Sequence, residues 1–263
     1  MKAALPLLLA FVAACQSNGS AKQPELAALT CQSRFPVQYE GGVHVAEATV
    51  STPVQGIGGG DPKAPQVTVS VQVIDLPAAL LDQILPRTTD EALYGWCIES
   101  TAWRETIEPL LERGLASVIE SPKLTLGMDP RGVQGGEVQI LDRSAYIKGF
   151  QVDRTTQGQI VDPLIDVLDQ GIGLFVAVAP AEGSNAYALH CTLTTQELAA
   201  KTQTRVRIAK RALPVEMEIP VVFREVLNGT ATLPAGSMAV LPPLDRENGH
   251  RWITCLQVSP ANP

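Results

Sequence analysis

Run after run of this chain alternates apolar and polar residues with a period of two, and that pattern limits its fold more than any other feature. Over residues 66–76, Val67, Val69, Val71 and Val73 fall on one side and Thr68, Ser70 and Gln72 on the other. Residues 123–128, 137–141, 145–152, 186–194, 202–208 and 252–258 repeat the habit. Side chains of a strand point alternately to the two faces of a sheet, so this period predicts half-buried β-strands. The 21 Gly and 20 Pro supply turns between them. The expected fold class is α+β, mainly β: an antiparallel β-sheet module with one or two packed helices.

Two short stretches read as those helices. Pro77 suits a first helical turn, Leu80, Leu81, Ile84 and Leu85 follow as its apolar positions, and Pro86 ends it. Ser100 or Thr101 can cap a second helix running to about Arg113. There Trp103, Ile107, Leu110 and Leu111 share one face, as a core stripe packed across a sheet does. Gly114 weakens that helix and Pro122 cannot continue it. Residues 111–140 then read as helix end, break, strand, a turn at Asp129-Pro130-Arg131-Gly132, and a second strand completing a hairpin.

Further along, 155–170 reads as a connecting segment. Asp162, Asp166 and Asp169 lie four and three apart, as on a solvated helix face. Residues 171–180 read as a buried strand. Tyr187, Leu189, Cys191 and Leu193 share a strand face, with His190 exposed opposite. Arg205 and Arg207 fall on an exposed face near Lys210 and Arg211. Residues 215–223 form a strand interrupted by Pro220. Asn228-Gly229 reads as a tight turn, and 230–241 as a hairpin turning at Pro234-Ala235-Gly236.

The amino terminus carries a different signal. Lys2 precedes an apolar run over 3–14, too short to span a bilayer as a helix. It ends in Val12-Ala13-Ala14-Cys15, which resembles a bacterial lipobox. The resemblance implies cleavage before Cys15 and acylation of that cysteine. Each buried methylene adds about 0.8 kcal/mol, so several chains hold a protein on a membrane where one does not. Gln16 at the next position is compatible with sorting to an outer membrane. Residues 16–28 are polar and Ala-rich, suited to a tether. A strand is expected within 42–50 and a Gly/Pro-rich loop over 52–65. Gly56 to Gly60 lacks the Lys-Ser/Thr of a phosphate loop. The organisation expected is a signal peptide at 1–14, a tether and short N-terminal segment at 15–65, and the β domain at 66–258.

Export places a chain where disulfides persist. With Cys15 assigned to lipid, Cys31, Cys97, Cys191 and Cys255 remain, and four cysteines allow three pairings. Cys191–Cys255 and Cys31–Cys97 are the preferred pairs, since Cys191 and Cys255 both sit in alternating strands. No Cys-x-x-Cys pair points to zinc.

At 263 residues the chain has room for a real core in one large domain or two small ones. Its 20 basic against 27 acidic residues give a net charge of −7, which argues against a nucleic-acid partner. Only three His are present, and no Gly-x-Ser-x-Gly elbow, His-Glu-x-x-His or nucleotide fingerprint occurs in context. Neither enzymatic activity nor a metal or cofactor is expected.

Taken in order, these pieces resemble the C-terminal domain of the secretins, the outer-membrane ring channels of type II and type III secretion. The alternating strand at 67–76 opens the match. A helix then leads into Gly114-Leu115-Ala116 and Ser121-Pro122-Lys123-Leu124. Val138 to Ile140 and Tyr146 follow, then a Gly-Ile-x-Leu-x-Val-x-Pro stretch reading Gly171 to Pro180, two residues longer than usual. The apolar strand at 186–193 and the late hairpin with Pro234 and Gly236 complete the set. Two features differ. Residues 16–65 are too short for the usual ring-building domains, and Pro242-Pro243-Leu244 replaces a Gly-Gly-Leu. The resemblance implies a subunit that contributes strands to a barrel shared around a homo-oligomeric ring, alone or with other secretion-system proteins. The expected protein is therefore an outer-membrane lipoprotein facing the periplasm and involved in secretion or channel assembly. The alternative is a non-pore envelope lipoprotein whose β module is structural or binds a partner. Their masses in mild detergent separate the two.

Overall fold

The computed structural model describes residues 29, 33–45, 65–85, 93–128, 134–155, 158–181, 185–207, 214–246 and 248–261. Cys15 and Cys31, and with them the lipidation site, lie outside these residues. The chain is mainly antiparallel β with two helices. In order it runs β1 (Ser33–Val45), β2 (Gln66–Pro77), α1 (Ala78–Ile84), β3 (Tyr94–Glu99), α2 (Ser100–Glu112), β4 (Ser117–Glu120) and β5 (Lys123–Gly127). Four long strands follow: β6 (Gln134–Thr155), β7 (Gly158–Pro180), β8 (Ala186–Val206) and β9 (Val215–Pro234). The chain closes with β10 (Ser237–Val240), β11 (Leu244–Asp245) and β12 (His250–Pro260).

All twelve strands join one curled sheet in the order β4-β2-β12-β10-β3-β1-β9-β8-β7-β6, with β5 also on β2 and β11 on β12. Its first half, β2 to β3, is covered on both faces. Ile74, Leu76, Trp96, Ile98, Met238, Val240, Ile253 and Cys255 meet Leu81 and Ile84 of α1 and Trp103, Ile107 and Leu110 of α2. The other face, with Val69, Val71, Val73, Ala239, Leu256 and Val258, packs on Leu174, Val176, Leu193 and Leu227 of the long strands. The result is three layers: helices, first half-sheet, second half-sheet.

β1 is the joint between the half-sheets. Ser33 to Pro36 pair with β3, and Val37 to Val45 pair with β9. At the change of partner the Phe35 ring lies on Gly95 and against Gly229, where any Cβ would collide with it. Asn228-Gly229 is therefore not a turn. Both residues sit inside β9, where Gly229 faces Cys191 on one side and Val37 on the other. The glycine answers a close approach, which a Gly in a strand often marks. β1 also belongs to the main sheet, although it precedes residue 66.

Three other expectations are corrected. β5 and β6 do not form a hairpin: β5 pairs with β2, β6 pairs with β7, and the turn expected at 129–132 lies outside the described residues. Residues 230–241 do turn at Ala235-Gly236, but β10 pairs with β3 and β12 rather than with β9. The stretch 158–170 is part of β7, so its aspartates lie on a strand and not on a helix face. α2 starts at Ser100, so Glu99 and neither Ser100 nor Thr101 is its N-cap, and it makes no side-chain cap hydrogen bond.

Candidate functional site

β6 to β9 form a four-stranded antiparallel panel of 20 to 23 residues per strand. A mean strand is about 5–6 residues, so these project well past the core they help to build. β7 and β8 pair only between Gly171↔Gln196 and Pro180↔Tyr187. Beyond that point the panel forks into two hairpins, β6–β7 and β8–β9, each continuing its own ladder.

Local chemistry explains the fork. Gly171 takes φ 134°, and a Cβ there would collide with the Ile140 carbonyl oxygen. Only glycine enters that region readily. Just past it, two amides replace ladder bonds: Gln196 Nε2 donates to the Asp169 carbonyl at 2.8 Å, and the Leu198 N–H donates to Gln170 Oε1 at 3.2 Å. Each hairpin then carries a β-bulge, at Lys148 and at Ala199. Pro163 and Pro220 sit where their strands have lost one neighbour, the setting in which a sheet tolerates proline.

The panel leaves backbone edges open. Among the described residues β6 pairs with β7 alone, and β9 has no second partner below Val221, where β1 ends. Such edges are templates for another strand. The hairpins also lean together. Residues 144–147 and Leu168 on one side and Leu198, Lys201, Met217 and Pro220 on the other line a cavity of about 300 Å³.

A buried ion cluster fixes the base of the panel to the first half-sheet. Glu225 on β9 is 5% exposed. Its Oε1 accepts from Tyr39 at 3.1 Å, and its Oε2 accepts from Thr195 Oγ1 and Arg246 Nη1, both at 3.1 Å. Arg246 also lies 3.6 Å from Glu197 Oε1 and stacks 3.9 Å above the Trp252 ring. The cluster thus spans β1, β8, β9 and the turn before β12. Burial, and then the charge of Glu225, push the Tyr39 hydroxyl above its ordinary pKa. On the helix side Arg251 bonds Asp82 at 2.7 Å and Asp245 at 2.6 Å, and His250 Nδ1 lies 2.8 Å from Asp75. These contacts fasten structure, and Asp82, Asp245 and Arg251 also line a cavity of about 220 Å³ beside Trp96.

The cysteines take other places than expected. Cys97, Cys191 and Cys255 are buried free thiols. Cys191 and Cys255 are not paired in the structure: Cys191 points into the core between the half-sheets and Cys255 into the core under the helices. Alternation put both on apolar faces, but it cannot say which of two cores a face looks into. Cys97 is free as well, and its expected partner Cys31 lies outside the described residues. Burial pushes all three thiols up, Cys191 to about 12. The unfolded chain releases these protons from about pH 9, the ordinary thiol value. The folded chain holds them, so stability is full below pH 9 and falls as pH rises towards 12. Alkaline titration of the urea midpoint should show that decline. A thiol reagent at pH 8 should modify the three only after unfolding; fast labelling of the native protein would contradict their burial.

Among the described residues there is no group of three or more His, Cys, Asp or Glu that could hold a metal. No helix among them is long and apolar enough to cross a membrane. No protein-family model, curated protein or solved structure matches this chain.

Proposed function

We propose that this protein is a lipid-anchored, secretin-like component of the bacterial outer membrane that assembles with copies of itself into a secretion channel. One observation carries the reading: a panel of four strands of 20 to 23 residues whose outer strand, β6, has an edge left open among the described residues. Strands cross a membrane only when their backbone groups are all paired, which requires a closed barrel. One panel cannot close such a barrel, but identical panels joined edge to edge around a rotation axis can. Cys15 would carry the acyl chains and residues 16–28 would serve as tether, with the body facing the periplasm. The protein's contribution is then assembly and passage, with no catalytic step, and its partners are other copies or other secretion-system proteins.

One feature favours the second reading, a non-pore envelope module. The leaning of β6–β7 on β8–β9 lets a single chain cover part of its own panel. Size in mild detergent separates the two. A large multimer that resists heating in detergent is the expected result. A monomer would leave the scaffold reading in its place.

A further inference from the structure

We propose that the β6–β7 hairpin tip is the part of the panel that enters the bilayer, with its odd-numbered β7 face against the acyl chains. The inference rests on the channel reading and narrows it to one hairpin. The register sorts the side chains. Ala145↔Val167 and Ile147↔Ile165 share one face, and after the bulge at Lys148, Phe150↔Pro163 and Val152↔Val161 continue it. Every residue of that set is apolar. The opposite face carries Tyr146, Gln151, Asp162 and Asp166 beside Leu164 and Leu168, and Lys148 bonds Asp166 at 3.2 Å.

The exposure of the two faces inverts what water selects. Ile165 is 65% and Val167 54% exposed, and Ile147, Val152 and Val161 are also open. On the other face Tyr146, Asp166, Leu168 and Gln170 are partly or fully covered, while Gln151, Asp162 and Leu164 nearer the tip are exposed. A strand that shows its apolar side outward and keeps its polar side inward is built for lipid. At ~3.3 Å per residue the span from Ala145 to Val152 is about 23 Å along the strand, and a barrel tilt of about 40° brings its height to roughly 18 Å, enough to enter most of the apolar band of about 25 Å on membrane barrels. Just below it, on the same face, Arg143 pairs with Asp169 at 2.9 Å, a charged border at the level where headgroups begin.

The β8–β9 hairpin does not share this property. Lys201, Gln203 and Arg205 lie on one of its faces, and a Lys or Arg on a lipid face is costly at mid-bilayer; the other face pairs Thr202 with Ile219 and Thr204 with Met217, and Met217 is already buried. The open backbone edge of β6 cannot enter hydrocarbon unpaired. Insertion therefore goes together with pairing to a neighbouring copy.

The test uses the full-length acylated protein in phosphatidylethanolamine–phosphatidylglycerol vesicles. A polarity-sensitive fluorophore is attached in Ile165→Cys and, separately, in Asp162→Cys, with the labelled parent as background. Vesicles with brominated acyl chains report contact with hydrocarbon, and the multimer mass is read on the same sample. The expected result is loss of emission in brominated vesicles at position 165 and none at 162. A multimer with no quenching at 165 overturns this inference and leaves the channel standing. Emission at 165 that is blue-shifted but unquenched means a second copy covers the face, which also overturns it. Quenching at 165 in a monomer removes the channel and also overturns the inference, since an unpaired β6 edge would then sit in hydrocarbon. A monomer with neither signal removes both.

Discussion

Replacing Arg246 by methionine is expected to lower folding stability by about 3–5 kcal/mol, the usual result of removing one partner from a buried ion pair. Glu225 would then be left in a site 5% exposed, with only Tyr39 and Thr195 to donate to it. Arg246 also covers the Trp252 ring, and that contact goes with it. The double variant Glu225→Leu/Arg246→Met should recover most of the loss, because two apolar groups leave no charge to solvate. Urea unfolding followed by circular dichroism measures both. A single variant within about 0.5 kcal/mol of the parent, the range of ordinary surface changes, would mean that the cluster does not join the half-sheets. On the proposed channel reading, the single variant should also reduce the yield of multimer, because the cluster sits at the base of the panel.

Trp103→Ala is expected to cost a similar amount, about 3–5 kcal/mol. Trp103 is 2% exposed and is among the largest fully buried side chains. It sits one turn before Ile107 on the face of α2 that covers Ile98, Met238 and Cys255. The short helix has no cap bond, contains Pro109, and cannot tighten around the cavity its removal leaves. Trp103→Phe keeps most of the volume and should cost much less. Loss of the α2 layer would expose β3 and β10, whose residues 95–98 and 237–240 are all buried. The urea midpoint is the readout, and equal midpoints for the Ala and Phe variants would argue against a cavity effect.

Much of this architecture is legible in the alternation of Val67, Val69, Val71 and Val73, and in the helical spacing of Trp103, Ile107 and Leu110. Both patterns record a segment with one wet face and one dry one. β3 and β10 carry no such record, because layers on both sides bury residues 95–98 and 237–240 in unbroken runs and leave no alternation in the pattern. The tip of β7 was hidden for the opposite reason. Asp162, Pro163, Asp166 and Asp169 look like a loop or a solvated helix. The signal that marks the strand is Val161, Pro163, Ile165 and Val167 on one parity, interrupted by a proline that a strand with a free edge accepts.

The residues alone determined that this chain is mainly β, that two short helices pack on it, and that its N-terminal run ends in a lipobox-like Cys15. These follow from local chemistry: side-chain period, proline and glycine geometry, and a short apolar run. The strand order was decided only in three dimensions, as was the route of β1 from one half-sheet to the other. So were the Glu225–Arg246 cluster and the separation of Cys191 from Cys255 into different cores. Each depends on which distant segments meet, and a period of two is the same whichever neighbour a strand finds.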